Sequence, residues 1–174
     1  LEPEVVLLED PHDGGLTGSN EPAIDASLAG IPSSTLFQCH VSAEGTISEQ
    51  ESHGCNSIFP KLTSIPGRNK DLVMVSPDHH GEPVLRAPHG VCADAPPGSG
   101  PASDAYDWGF CWKVWDALRS CARTGTNCKT ALGDTPKHRY IGTWSDGVPI
   151  FGLKIQDRAP ISIKPRPVRE SRPK

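Results

Sequence analysis

The chain has 174 residues and a net charge of −4, and its 17 glycines and 18 prolines make up about a fifth of it. This length fits one domain with a hydrophobic core, and so much glycine and proline predicts short elements joined by long loops. The sequence has no run of roughly 20 apolar residues, so it predicts no membrane span.

Three short apolar runs predict buried β-strands: Glu4 to Glu9, Ser34 to His40 and Asp71 to Ser76. Each run is bounded by glycine or proline, which is typical of parallel strands covered on both faces. A short helix is predicted between the second and third runs, over Asn56 to Leu62. This order of strands and connections predicts an α/β fold with a parallel sheet and flanking helices.

The segment Ser103 to Arg123 predicts the longest helix, with Ser103 as its N-cap and Gly125 closing it. Apolar residues at spacings of three and four predict its core face: Tyr106, Phe110, Val114, Ala117, Leu118 and Cys121. Three tryptophans mark an adjoining face: Trp108, Trp112 and Trp115. So wide an apolar surface predicts that the helix packs on two sides.

The end of the chain combines an edge strand with a basic tail. Val148 to Ile155 predicts a strand, and Pro149 confines it to a sheet edge because proline cannot donate to a central ladder. Residues 158–174 carry a net charge of +5 and no aromatic side chain. They predict a solvated tail after a folded domain of residues 1–157. Because no aromatic platform accompanies the charges, no nucleic-acid partner is predicted, and a polyanion-binding arm is a lesser alternative.

The six cysteines predict three disulfides and an oxidising compartment, which indicates a secreted protein. None forms a C-x-x-C pair, so the cysteines predict no metal site. Pairing of neighbours would join Cys39 with Cys55, Cys92 with Cys111 and Cys121 with Cys128, although the sequence does not choose among the possible connectivities. The helix supports the last pair, since Cys121 ends it and Cys128 follows the capping turn.

Asp10 is the candidate catalytic acid. It follows an apolar strand and precedes Pro11, which places it at the carboxyl end of that strand, where ligands bind in open α/β sheets. His80 lies just past the third predicted strand, and His89 follows in the same loop region. A carboxylate that binds an imidazole fixes the tautomer whose other nitrogen takes a proton from a hydroxyl. The chain contains no Gly-x-Ser-x-Gly motif, so we expect the nucleophile to come from elsewhere.

Simpler interpretations of these residues stay open. An aspartate at a strand end is also a common turn-former or helix cap. His79 and His80 are alternative metal ligands, but no acidic or cysteine partner stands at a useful spacing. The sequence therefore predicts neither a metal nor an organic cofactor.

The stretch Leu8-Glu9-Asp10-Pro11-His12-Asp13-Gly14 is similar, with one glutamate inserted, to the Leu-Asp-Pro-Val-Asp-Gly motif of plant chlorophyllases. Residues 4–80 resemble the C-terminal part of the chlorophyllase and platelet-activating-factor acetylhydrolase branch of the α/β-hydrolases. Residues 104–155 resemble the C-terminal segment of less studied hydrolases of that superfamily. The resemblance implies the C-terminal half of an α/β-hydrolase fold, with Asp10 as catalytic acid and His89 or His80 as catalytic histidine.

The function implied is hydrolysis of an apolar carboxylic ester by a serine esterase. The chain would contribute the acid and the histidine of a Ser-Asp-His triad, and an upstream chain of the same precursor would carry the serine. The alternative is a non-catalytic secreted module, derived from a hydrolase, that binds a partner or has a structural role.

Overall fold

The computed structural model describes residues 3–11, 24, 27–44, 54–92 and 103–158. They form a four-stranded sheet with helices packed on it, a mixed α/β arrangement. The predicted solvated tail, from residue 159 onward, lies outside the described residues. In the part of the chain described, no helix is both long and apolar enough to cross a bilayer.

The sheet consists of β1 (Val5–Glu9), β2 (Leu36–Ser42), β3 (Lys70–Val75) and β4 (Lys154–Gln156), in that spatial order. β1, β2 and β3 are parallel, and β4 is antiparallel to β3 at one edge. The three predicted parallel strands are confirmed. The predicted edge strand is shorter than expected, because only three residues of it pair with β3.

Both faces of the sheet are buried, as parallel strands require. On one face, side chains such as Leu36, Val73 and Val75 pack against the long helix described below. On the other face, alternate residues such as Phe37 and Leu72 pack against α1 (Cys55–Ile58) and the 3₁₀ turn Phe59–Lys61. The short helix predicted between the second and third strands is therefore confirmed as one helical turn and a 3₁₀ turn.

The long helix starts at Ala105, contains a π-helical segment, Asp107–Trp112, in its first turns, and continues as α2 (Lys113–Thr124). Its predicted core face is confirmed, with Tyr106, Phe110 and Leu118 fully buried. Gly125 ends the helix at φ 69°, and its N–H donates to the Cys121 carbonyl, as predicted for a left-handed cap.

The prediction of a second packed face on this helix was wrong. Trp108 is 65 % exposed, Trp112 40 % and Trp115 42 %, so these residues, here called the tryptophan stripe, face away from the core. Trp108 and Trp112 contact each other edge to face, with ring centroids 4.2 Å apart. Apolar periodicity identifies a helix face but does not say whether another element covers it.

After α2 the chain forms two further short helices, α3 (Cys128–Ala131) and α4 (Pro136–Arg139), before it returns to the sheet in β4. All three neighbour pairings of cysteines are confirmed: Cys39–Cys55, Cys92–Cys111 and Cys121–Cys128. The first joins β2 to α1 inside the core, the second joins the loop after β3 to the π-helical segment, and the third joins the end of α2 to α3.

We expect the disulfides to differ in their contribution to stability. Replacing Cys39 and Cys55 by alanine should lower the free energy of unfolding by about 3 kcal/mol, and replacing Cys121 and Cys128 by about 2 kcal/mol, because a cross-link that closes a longer loop removes more entropy from the unfolded chain. The loops span 16 and 7 residues. Urea unfolding of both double variants measures the difference, and equal losses would contradict it.

Candidate functional site

Asp10 lies where β1 ends, at the carboxyl edge of the sheet. Its backbone has φ 40°, which is uncommon for a residue other than glycine, and its N–H donates to the His40 carbonyl at 3.0 Å. This turn buries the side chain, which is 5 % exposed. A strained backbone conformation in a buried polar residue is a feature that clusters at functional sites.

Three donors hold the Asp10 carboxylate. Ser42, at the end of β2, donates its N–H to Oδ1 at 2.8 Å and its hydroxyl to Oδ2 at 2.6 Å. The N–H of Gly90 donates to Oδ2 at 3.0 Å. The Ser42 hydroxyl is buried, so it serves to hold the acid and is not placed to attack an ester.

The loop after β3, residues 76–92 and here called the rim loop, crosses the carboxyl edge of the sheet from β3 to β1. Midway, the Glu44 N–H donates to the Ala87 carbonyl at 2.8 Å, and the Ala87 N–H donates to the Glu44 carboxylate at 2.7 Å. Beyond that point the N–H of Cys92 donates to Glu9 Oε1 at 2.6 Å. The rim loop therefore ends on the same strand tip that carries the candidate acid.

This path brings the backbone next to His89 to Asp10, because the N–H of Gly90, the following residue, bonds to the Asp10 carboxylate. The His89 side chain is exposed. Burial raises the pKa of the neighbouring Glu9 and the Asp10 carboxylate adds to that rise, whereas the Cys92 N–H and the His89 imidazole oppose it. The structure thus bonds the predicted acid to the backbone next to one of the two predicted histidines, whose imidazole influences a second carboxylate, Glu9.

The other predicted histidine has a different partner. His80 Nε2 lies 2.7 Å from Asp146 Oδ2. Asp146 belongs to the turn Trp144 to Gly147, which the Gly147 N–H closes on the Trp144 carbonyl at 2.9 Å. The expectation that Asp10 is the carboxylate for either histidine is therefore corrected for His80, whose acid is Asp146. No local sequence pattern connects residues 66 positions apart.

Sequence reasoning also missed Asp78, a fully buried carboxylate at the start of the rim loop. It accepts hydrogen bonds from the His80 N–H at 3.0 Å, from Trp144 Nε1 at 3.2 Å and from the Phe151 N–H at 2.9 Å. These bonds connect the rim loop with the chain between α4 and β4. Tyr106 adds an anchor, since its hydroxyl donates to the Ser76 carbonyl at 2.7 Å.

A second group of buried polar side chains lies between the sheet and the two short helices after α2. His40 Nε2 bonds to Gln38 Oε1 at 2.7 Å, and Gln38 Nε2 lies 3.1 Å from His138 Nε2. Burial lowers the pKa of His40 to about 3 and that of His138 to about 4, and it raises the pKa of Asp71 to about 7. At mildly acidic pH, His138 is therefore neutral and Asp71 is protonated. The 3.8 Å contact between His138 Nδ1 and Asp71 Oδ2 is then not an ion pair.

We expect this group to make stability depend on pH in two opposing ways. Between about pH 4 and 6.5, His40 and His138 bind a proton in the unfolded chain but stay neutral in the folded one. Their contribution to the free energy of unfolding therefore rises as the pH is raised through this range. Asp71 keeps its proton up to about pH 7 only when folded, and its ordinary pKa is 3.8, so its contribution to stability falls with pH between those values.

The Asp71→Asn variant removes the second contribution alone, because asparagine can still accept the Gly133 N–H that bonds to Asp71 at 2.6 Å. As the pH is raised from 5 to 8, the free energy of unfolding of the variant should rise relative to that of the unmodified chain by on the order of a few kcal/mol. Urea unfolding at both pH values measures this gain. A difference between the two proteins that does not change with pH would contradict the assignment.

The chain matches no protein-family model, and it has no significant match among curated proteins or solved structures. Within the described ranges, no group of three or more histidine, cysteine, aspartate or glutamate residues is arranged to hold a metal ion. This edge of the sheet carries a buried carboxylate bonded to the loop that bears the exposed His89, and a second imidazole, His80, bonded to a second carboxylate, Asp146.

Proposed function

We propose that the chain contributes the acid and the histidine of a serine carboxylic-ester hydrolase with an α/β-hydrolase fold. The observation that carries this proposal is the bond from the Gly90 N–H to the Asp10 carboxylate at 3.0 Å, because it joins the predicted acid to the loop that bears His89. The parallel sheet supports it as well, since ligands of open α/β sheets bind at the carboxyl ends of the strands.

The proposed reaction proceeds through an acyl-enzyme. His89 takes the proton from a serine hydroxyl as its oxygen attacks the ester carbonyl carbon, and the imidazolium returns the proton to the departing alcohol. Water then attacks the acyl-serine, with His89 acting as base and acid in the same way. Asp10 stabilises the imidazolium in both steps, and Ser42 and Gly90 hold that acid in place.

The serine belongs to a preceding segment of the same precursor in this proposal. In the part of the chain described, β1 pairs only with β2, so its other edge offers backbone groups to a further strand. A parallel strand added there would end beside Asp10. A cavity of about 210 Å³ lies at the opposite end of β1, next to Trp115, Arg119 and Arg123, and a helix of the added segment would cover it.

Secretion is part of the same proposal. Three disulfides, each with at least one cysteine in the core or packed against it, are compatible with an oxidising compartment. The proposed substrate class is an apolar carboxylic ester, as the resemblance to the chlorophyllase and platelet-activating-factor acetylhydrolase branch implies.

The test is labelling of the native protein with a fluorophosphonate, which reacts with activated serines. We expect the label on a co-purifying segment that contains Gly-x-Ser-x-Gly, and N-terminal sequencing together with intact mass identifies that segment. His89→Gln in the same material should abolish labelling, whereas His79→Gln should not. A native preparation without any labelled serine would overturn the proposal.

A second candidate function is a non-catalytic binding module, and the exposure of the tryptophan stripe favours it. Exposed tryptophans concentrated on one helix face are typical of surfaces that contact a partner. The same preparation separates the two candidates, because a native species consisting of this chain alone, without a reactive serine, is expected only of the module.

A further inference from the structure

His80 and Asp146 form a defined imidazole–carboxylate pair. Because a carboxylate accepts and does not donate, the 2.7 Å contact places the imidazole proton on His80 Nε2. Hydrogen bonds from His80 and from the Val148 N–H lower the pKa of Asp146, which keeps that carboxylate ionised. The neutral ring then carries its lone pair on Nδ1.

The surroundings hold this pair in one geometry. Asp78 accepts the His80 N–H and the Trp144 indole N–H, so one buried carboxylate fixes both the histidine and the turn that carries Asp146. The Trp144 ring packs so closely on Gly81 that a Cβ there would lie 2.2 Å from it. Groups placed by such contacts lose little freedom when they act on a substrate.

His80 Nδ1 is accessible to solvent. Of the described side chains, the one buried nitrogen or oxygen without a hydrogen-bond partner is His40 Nδ1, and the only ring hydrogen bond of His80 is the one from Nε2. The side chain of His80 is 14 % exposed, so part of the imidazole faces solvent. The Trp144 ring, with its centroid 6.0 Å from that of His80, supplies an apolar surface next to the imidazole.

We propose that His80, oriented by Asp146, is a second proton-transfer site that hydrolyses small activated aryl esters without any serine. Nδ1 takes a proton from water as the water oxygen bonds to the acyl carbon. The carbon–oxygen bond to the aryl oxide then breaks, and the imidazolium gives its proton to that oxide, so that a carboxylic acid and a phenol leave. Asp146 stabilises the imidazolium, and Trp144 contacts the aryl ring.

The experiment measures hydrolysis of p-nitrophenyl acetate by the 174-residue chain alone. We expect His80→Gln to lower the protein-catalysed rate at least about tenfold. His79→Gln, the neighbouring variant, should keep the full rate. Asp146→Asn should also lower the rate about tenfold, because an amide does not stabilise an imidazolium. Asparagine keeps one acceptor oxygen for the two N–H groups of His80 and Val148, so the free energy of unfolding of this variant is measured beside its rate.

Three results would overturn the proposal: an unchanged rate in His80→Gln, a nitrogen NMR spectrum that shows the proton of His80 on Nδ1, or loss of the activity after treatment with a fluorophosphonate. Circular dichroism and disulfide mapping of each variant confirm that it is folded. The measurement needs no serine-bearing segment, so its failure leaves the proposed triad unaffected, and failure of the triad leaves this pair unaffected.

Discussion

Asp10→Asn, introduced into this chain together with its serine-bearing segment, is expected to lower kcat for ester hydrolysis about a thousandfold or more. The asparagine amide does not stabilise the imidazolium that forms on His89 in each proton transfer. KM should change little, because Asp10 is buried and a buried carboxylate does not contact the substrate. Steady-state rates with a short-chain ester measure both constants.

The control for this substitution is His89→Gln. The Asp10 variant turns an amide group toward the donors from Ser42 and Gly90, so part of its effect can arise from a displaced rim loop. His89 is exposed, and its replacement leaves those buried bonds intact. Loss of activity in both variants, with unchanged unfolding of His89→Gln, supports the triad. Full activity in His89→Gln would contradict it, whatever the Asp10 variant does.

The sequence predicted the strands, the long helix and the disulfides well. These features depend on completely buried apolar runs or on contacts between residues that lie close together in the chain. The three apolar strands were predictable because parallel strands covered on both faces read as short apolar runs. The long helix showed its core face through periodicity. The disulfides join neighbouring cysteines, and Cys121 and Cys128 meet across the turn that closes α2.

The rest depended on long-range contacts that leave no local signal. Asp146 stands in an ordinary turn, and only the fold brings it to His80. Asp78 has the sequence context of a loop residue, yet it is fully buried, and two donors from distant segments, Trp144 Nε1 and the Phe151 N–H, converge on it. The tryptophan stripe has the same spacing as a buried face, and its exposure follows from which elements surround α2, not from the helix itself.

The π-helical segment of the long helix is another such feature, and Gly109 lies at its centre. A Cβ at this position would lie 1.9 Å from the backbone oxygen of Ile141 and 2.7 Å from its carbonyl carbon. Glycine is therefore required here because of a close approach between two backbones. The wider π turn is compatible with that approach, and it leads from Asp107 and the buried Tyr106 at the rim to the regular helix α2.

Gly109→Ala is accordingly expected to be the most destabilising single substitution proposed for this chain, by about 4 kcal/mol or more. The backbone around Ile141 has little room to move, because the Gly142 carbonyl accepts the Ile150 N–H at 3.0 Å and Lys113 Nζ bonds to the Tyr140 carbonyl. Urea unfolding followed by circular dichroism measures the loss, and a change below 1 kcal/mol would show that the two backbones are farther apart than described.

Two glycine variants calibrate that result. Gly125→Ala meets no atom within 4 Å but has φ 69°, so it should destabilise the chain by only about 1 kcal/mol through backbone strain. Gly30→Ala meets no atom and has no positive φ, so it should be close to neutral. If the three losses follow this order, steric contact with Ile141 explains the largest of them. The Tyr106 hydroxyl anchors the rim loop at Ser76, so a shift of the helix at Gly109 would also displace this loop, which carries His80 and His89. Gly109→Ala should therefore also lower the rate of ester hydrolysis.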